Sequence, residues 1–193
     1  MPRKYELKKR AESQAETRRR IVEAAIELHR TIGPAHTSLS AIADLAGVQR
    51  HTLYRHFPDE RELGMACSGL YSERNPLPDP EPWRALADPA ERLRTGLGEL
   101  YAYYEANEDM LTCVSRDAET HALTRELSEL RFGPGLGAIE GTLAAALPRP
   151  RGKAARAALE LALEFTTWRN LVRRSGLSSR QAAELMARSA LSA

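Results

Sequence analysis

No apolar run in this 193-residue sequence approaches the ~18 residues that a membrane span requires. The opening stretch, MPRKYELKKR, lacks the apolar centre of a secretory signal. Both absences lead us to expect a cytoplasmic protein with no membrane partner. Cysteine is scarce: Cys67 and Cys113 have neither the number nor the spacing of a disulfide framework or a zinc site. Each sits in an apolar helical stretch and reads as a small buried side chain. Catalytic signatures are missing as well. There is no G-x-S-x-G, no H-E-x-x-H and no P-loop, and the glycines at 96 and 98, or at 133, 135 and 137, lack the strand-turn-helix setting of a phosphate cradle. Asp117, Glu119 and His121 come nearest to an acid-base cluster, but a solvated or salt-bridged helix face explains them. His29 and His36 flank a helix end with no carboxylate or thiol at ligand spacing, so neither a metal nor a cofactor is expected. Strand alternation and internal repeats are absent, which leaves an all-α fold and a non-enzymatic role.

What is present is unevenly distributed. The composition, 28% charged and 42% apolar, is ordinary for a soluble domain, and the net charge of +2 carries little information. Residues 1 to 20, however, hold eight Lys or Arg against three Glu, and residues 1 to 66 hold twelve basic against nine acidic residues. The remainder is slightly acidic. A basic surplus confined to one end is the electrostatic footprint expected of a nucleic-acid binder. The first dozen residues read as a mobile basic arm. Ser13 and Glu16 then form an S-x-x-E capping box, followed by Ile21, Ala25, Leu28 and Ile32 on one helical face, and Gly33-Pro34 ends the helix.

The most informative stretch is Thr37 to Phe57, TSLSAIADLAGVQRHTLYRHF. Leu39, Ile42, Ala43 and Ala46 fall at i, i+3, i+4 and i+7, which places them on one face of a short helix capped by Thr37 or Ser38. Gly47 supplies the positive φ of a tight exit, and Val48 packs into the corner. In the following helix only Leu53 and Phe57 look inward. Gln49, Arg50, His51, Thr52, Tyr54, Arg55 and His56 remain outside, where such side chains can hydrogen-bond base edges and phosphates.

The spacing of Thr37, Ile42, Ala43, Ala46, Gly47, Val48, Thr52, Leu53, Tyr54, His56, Phe57 and Pro58, behind a helix ending in Ile-Gly, resembles the DNA-binding domain of TetR-family transcriptional regulators. The resemblance covers roughly residues 13 to 70. It implies phosphate contacts at Thr37, Ser38, Thr52, Tyr54 and His56, and base readers at Gln49, Arg50 and His51. The chain departs from the family after the proline: where a Lys is usual, Asp59 and Glu60 precede Arg61, which implies either a weakened phosphate contact there or one made through Arg61.

Beyond the reading head every stretch reads as helix. Helix four starts near Asp59 with Leu63, Ala66, Cys67 and Leu70 on one face. It gives way to a proline-rich connector from Asn75 to Trp83, for which a polyproline recognition ligand is the other reading. Asp88, Pro89 and Glu91 start the next helix, with Leu93, Leu97, Leu100, Tyr101 and Tyr104 along it. A further helix from Asn107 carries Met110, Val114 and Ala118. The next, with Leu123, Leu127 and Leu130, meets Gly133-Pro134-Gly135, which either kinks it or divides it, and resumes through Leu147. After a turn at Pro148 to Gly152, Lys153 to Arg174 is expected to be the longest uninterrupted helix. Ala158, Leu161, Ala162, Phe165 and Trp168 line one of its faces. Ser178 and Gln181 repeat the capping box before a last helix lined by Ala182, Leu185, Met186 and Ser189.

Two domains are expected, 1–66 for DNA and 67–193 for ligand binding and dimerisation. The last two helices form the natural pair for a four-helix interface with a second copy, and similar pairs form the dimer in the family. Trp83, Tyr101, Tyr104, Met110, Cys113, Arg116, Phe165, Trp168, Arg169 and Asn170 are the candidates for a small-molecule effector site. Arg116 and Arg169 are its most diagnostic members, because a buried, unpaired guanidinium would call for an acidic ligand. The expected function is a homodimeric, ligand-responsive repressor on a near-palindromic operator. The alternatives are an activator or architectural DNA binder with the same reading head, and a helical enzyme or scaffold that reuses the fold.

Overall fold

The computed structural model describes residues 2–147 and 152–193, with side chains from residue 8 onward. Ten α-helices follow one another with no strand among the described residues: α1 (Pro2–Thr31), α2 (Leu39–Leu45), α3 (Arg50–His56), α4 (Glu60–Arg74), α5 (Pro89–Ala106), α6 (Glu108–Ala118), α7 (Ala122–Ala144), α8 (Lys153–Leu163), α9 (Phe165–Arg169) and α10 (Ser179–Ser192). None of them is long and apolar enough to cross a membrane. The turn expected from Pro148 lies outside the described residues except for Gly152.

The chain forms two compact units, one of residues 1–75 with 112–131 and one of residues 76–111 with 132–193. They do not follow the expected division at 66/67. All of α4 stays with the reading head, and the end of α6 and the start of α7 join it.

In the first unit α1 packs on α2 and α4, and α2 on α3. Its core is small: Ile21, Val22, Ala25, Ile42, Ala43, Leu53, Phe57 and Leu63 are buried together. Four expectations need correction here. Residues 2–12 continue α1 as helix instead of forming an arm. Ser13 therefore lies inside the helix, its carbonyl accepting from the Thr17 hydroxyl, and Glu16 is taken by Arg19 in place of a capping box. Ile32, assigned to the inner stripe of α1, is exposed because the helix has already ended at Thr31. A Cβ on Gly64 of α4 would sit 2.7 Å from Leu127 Cδ1, so the absent side chain lets α7 approach closely. Leu130, expected on the same inner stripe of α7, is exposed.

The second unit is a bundle in which α10 lies along α5 and α8. Alanines at 182, 183, 187 and 190 form the buried face of α10, and these small side chains let it lie close to its neighbours. The expected face is met at Ala182 and at Met186, which packs partly buried against the core, but not at Leu185 and Ser189, which are exposed. Trp83, Leu97, Leu100, Tyr101, Ile139, Leu143, Leu159, Phe165 and Trp168 fill the centre. The connector is fixed at both ends of its apolar content, with Trp83 buried and Leu77 packed beneath Gly135. That packing argues against a free polyproline ligand.

Two helices differ from expectation in opposite ways. α7 runs unbroken through Pro134, so the Gly-Pro-Gly stretch does not divide it. The predicted Lys153–Arg174 helix breaks at Glu164, whose ψ of 129° is extended, then resumes as α9 and a π-turn from Asn170 to Arg174. The longest helix is α1, with 30 residues. The break is stabilised from α5. Tyr101 donates its hydroxyl to the Ala162 carbonyl at 2.9 Å, and Tyr104 donates to that of Leu163. Burial raises the pKa of both phenols well above its ordinary value, which keeps them as donors. Leu161, just before the break, turns outward and is 58% exposed.

Candidate nucleic-acid interface

The local sequence builds the reading head as expected. Ser38, with extended backbone, caps α2 by accepting from the Ala41 amide at 3.1 Å. Gly47 adopts φ 63°, and the Val48 amide returns to the Ala43 carbonyl at 2.9 Å to close the turn. Leu53 and Phe57 are fully buried. Gln49, Arg50, His51, Tyr54 and Arg55 are exposed, while Thr52 and His56 are half-buried. Burial lowers the His56 pKa, and the Arg55 and Arg18 charges lower it further, so this imidazole is held in its neutral form.

Of the residues assigned to phosphate, two are also used inside the protein. The Thr37 hydroxyl donates to the Gly33 carbonyl at 2.7 Å, and Ser38 serves as the cap described above. The acidic start of α4 is explained by capping, since Asp59 accepts from the Glu62 amide at 2.8 Å. Arg61, the candidate to replace the usual Lys, pairs with Glu126 of α7.

The structure also brings in a group that the sequence left on a solvated face. Asp117 at the end of α6 is only 2% exposed. Its carboxylate accepts from Arg116 Nε at 2.7 Å and from the Ala35 amide at 2.9 Å, and Arg116 Nη2 donates to the Ile32 carbonyl at 2.8 Å. Burial acts to raise the Asp117 pKa, but the Arg116 hydrogen bond, the Ala35 amide and nearby positive charge outweigh it, and the net shift is downward. Gly33, at φ 99°, is what admits the pair: a Cβ there would come within 2.3 Å of both Arg116 Nη2 and Asp117 Oδ2. The salt-bridged reading of Asp117 thus holds, whereas Glu119 lies beyond the helix and is exposed. His29 and Cys67 lie 3.6 Å apart between α1 and α4. Burial lowers the imidazole to about 4 and raises the thiol to about 11, so both are neutral packing groups. No group of three metal-binding side chains forms among the described residues.

The ten candidate effector residues fall in both units. Cys113 and Arg116 belong to the reading unit and the other eight to the bundle. Trp83, Tyr101, Tyr104, Met110, Phe165 and Trp168 are buried, and the aromatic rings of Tyr104, Phe165 and Trp168 pack within 5.5–6.1 Å of one another. Arg169 and Asn170 are exposed, and Arg169 lies 3.9 Å from Glu108. Neither Arg116 nor Arg169 is a buried unpaired cation, so the acidic-ligand expectation fails on geometry.

Residues 21–67 match the profile of the bacterial regulatory proteins of the tetR family. Over those residues the chain is similar to the DNA-binding domain of the TetR family. Solved structures with the TetR-like all-α fold cover nearly its whole length. One is a HlyIIR mutant protein (14% identity, 91% of this chain and 95% of that one, TM-score 0.64). Another is a TetR transcription regulator from Haloarcula marismortui (15%, 92% and 97%, TM-score 0.60). A third is the transcriptional regulator FadR from Bacillus subtilis in complex with stearoyl-CoA (17%, 90% and 97%, TM-score 0.61). At these identities the likeness speaks for the fold. A comparison with curated proteins finds no match. Within the TetR frame, α2 and α3 are the helix-turn-helix.

Proposed function

We propose that this protein is a ligand-responsive transcriptional repressor of the TetR family that binds a near-palindromic operator as a homodimer in the cytoplasm. The observation that carries the reading is α3 itself, a seven-residue helix that buries Leu53 alone and leaves Gln49, Arg50, His51 and Tyr54 to solvent. Two such helices, about 34 Å apart on a symmetric dimer, would enter successive major grooves. Gln49, Arg50 and His51 face the bases in this reading, and Thr37, Ser38, Thr52, Tyr54 and His56 the backbone. Arg50 is the guanine reader, through paired hydrogen bonds to O6 and N7.

For the dimer, the support is the outward face of α8 and α10. Leu161 and Leu185 are exposed there, and Leu177, Arg180, Gln181, Glu184, Leu185 and Arg188 line a surface groove along α10. An apolar patch of this kind flanked by opposite charges suits a self-complementary contact. For the effector, we place the site in the bundle unit, among its aromatic residues. The Trp83 indole nitrogen and the Thr142 hydroxyl are buried there without a hydrogen-bond partner, which suits a mainly apolar molecule with a few polar atoms. A FadR relative in fold holds stearoyl-CoA, and long-chain acyl thioesters are therefore the first effector class to try. An effector with ~100-fold preference for the non-binding form would cost operator affinity about 2.7 kcal/mol.

Selecting bound duplexes from a random pool tests the DNA part directly. Enriched palindromes with half-sites one helical turn apart are expected, and a flat pool would favour the helical scaffold or enzyme reading. Titrating acyl-CoAs of graded length into the selected complex tests release. A reporter fused to the selected operator separates repression from activation.

A further inference from the structure

The basic side chains of α1 are of two kinds. Lys8, Lys9 and Arg10 stand exposed on its first turns, and Arg19 is tied to Glu16 on its own helix. Arg18 and Arg20 instead reach the helix-turn-helix. Arg18 Nη1 donates to the His56 carbonyl at 3.3 Å, and its guanidinium carbon lies 4.0 Å from the centre of the Phe57 ring. Arg20 Nη2 donates to the carbonyls of Ala46 and Gly47, the latter at 3.0 Å. These oxygens lie at the ends of α2 and α3, where the last carbonyls have no following turn to serve and where the helix dipole is negative.

This placement brackets the reading helix. Arg20 holds the turn that leads into α3, and its guanidinium fills the space beside Gly47, 3.0 Å from where a Cβ would stand. Arg18 holds the residues by which the chain leaves. With seven residues and one buried side chain of its own, α3 has little packing to fix its axis, so a cation at each end matters more than it would on a long helix. The planar guanidinium of Arg18 stacks on the ring while an edge N–H bonds the carbonyl, a geometry Lys cannot reproduce.

We propose that Arg18 and Arg20 are positioning residues for DNA reading: they clamp the two ends of α3 from α1, through its terminal carbonyls, and do not contact phosphate. This rests on the DNA-binding reading above and assigns two members of the basic footprint to a different task.

The test uses full-length protein, a duplex selected by the wild type and a random duplex, titrated by fluorescence anisotropy at several KCl concentrations. Arg18→Ala and Arg20→Ala are each expected to lose at least about tenfold in operator affinity. Binding to the random duplex and the slope of log affinity on log salt should stay at wild-type values, with Arg18→Lys intermediate. Direct phosphate contact would remove two charges per dimer, lower the slope by about 1.8 and weaken both duplexes alike; that result overturns the proposal. Hydrogen exchange on the free proteins gives a readout that needs no DNA, and Arg18→Lys serves if Arg18→Ala does not fold. Amides of residues 50–57 should exchange faster while those around Ile21 and Leu63 keep their protection. Unchanged protection at 50–57 in every folded variant also overturns it. A wild type that binds no duplex would end the DNA-binding reading and leave the exchange result to decide the clamp.

Discussion

The two units hold their short helices by different means. In the reading unit, α3 is secured by Leu53, Phe57 and guanidinium-to-carbonyl bonds, and Arg50, His51, Tyr54 and Arg55 on its outer face are exposed. In the bundle, α9 is secured by burying Phe165 and Trp168 against Tyr104, with tyrosine hydroxyls taking the carbonyls released where the helix breaks. The first arrangement spends few apolar contacts and leaves a surface available for a partner. The second uses most of its large side chains internally. A helix meant to touch something else is thus held at its ends, and a helix meant for the core is held by its middle.

That contrast can be broken in order of effect. Trp168→Ala should cost about 3–5 kcal/mol by leaving a cavity at the centre of the bundle. Urea unfolding should show the loss, and exchange protection of Ile21 and Ile42 should persist if the units behave as distinct packing bodies. Gly33→Ala strikes the reading unit. It forces a side chain into positive φ and against Asp117, so a loss of about 1–3 kcal/mol from strain alone is expected, with weaker operator binding at permissive temperature. Arg50→Ala should leave thermal stability unchanged while removing ~1–3 kcal/mol of discrimination at one base pair per half-site. Equal losses on every operator variant would remove Arg50 from the base readers.

Acid should act on the reading unit in two windows. His29 has a folded pKa near 4 against an unfolded value of 6.5, so the unfolded chain takes the proton first. Its contribution is present above about pH 6.5 and is lost as pH falls toward 4. Asp117, with its pKa lowered in the fold, contributes above about pH 4 and loses that contribution below it. Stability curves of His29→Gln and Asp117→Asn should each flatten in one window only. The smallest effect is expected from Tyr54→Phe, a modest and sequence-independent loss of DNA affinity from one exposed hydroxyl.

Much of this was legible in the sequence because it is local. Ser38, Asp88 and Ser178 cap their helices where side-chain spacing placed them, and Gly47 has the positive φ its position required. The inward pair of α3 could be read for the same reason. The misreadings share a different cause. Asp117 looked like a surface carboxylate because its partner amide, Ala35, is 82 residues away in sequence. Leu161 looked like core because the break at Glu164 is stabilised from α5, and periodicity cannot report a partner on another helix. Ser13 to Glu16 matched a capping box, yet nothing in the preceding residues ends a helix there, and α1 runs through. Arg116 and Arg169 were candidates for a buried site by residue type, and both lie at the surface beside acidic partners.

The joining of residues 112–131 to the reading unit bears on grafting. A DNA-reading cassette cut from this chain at residue 66, or even at 75, would carry away Gly33, Ala35, Gly64 and Met65 without Asp117, Leu127 and Arg131, whose guanidinium donates to the Met65 carbonyl at 2.9 Å. A chimaera built on that cut would begin with an orphaned amide and two empty notches. Transplanting its operator preference onto another scaffold therefore means either moving both strips of chain together or rebuilding the second strip's contacts on the host.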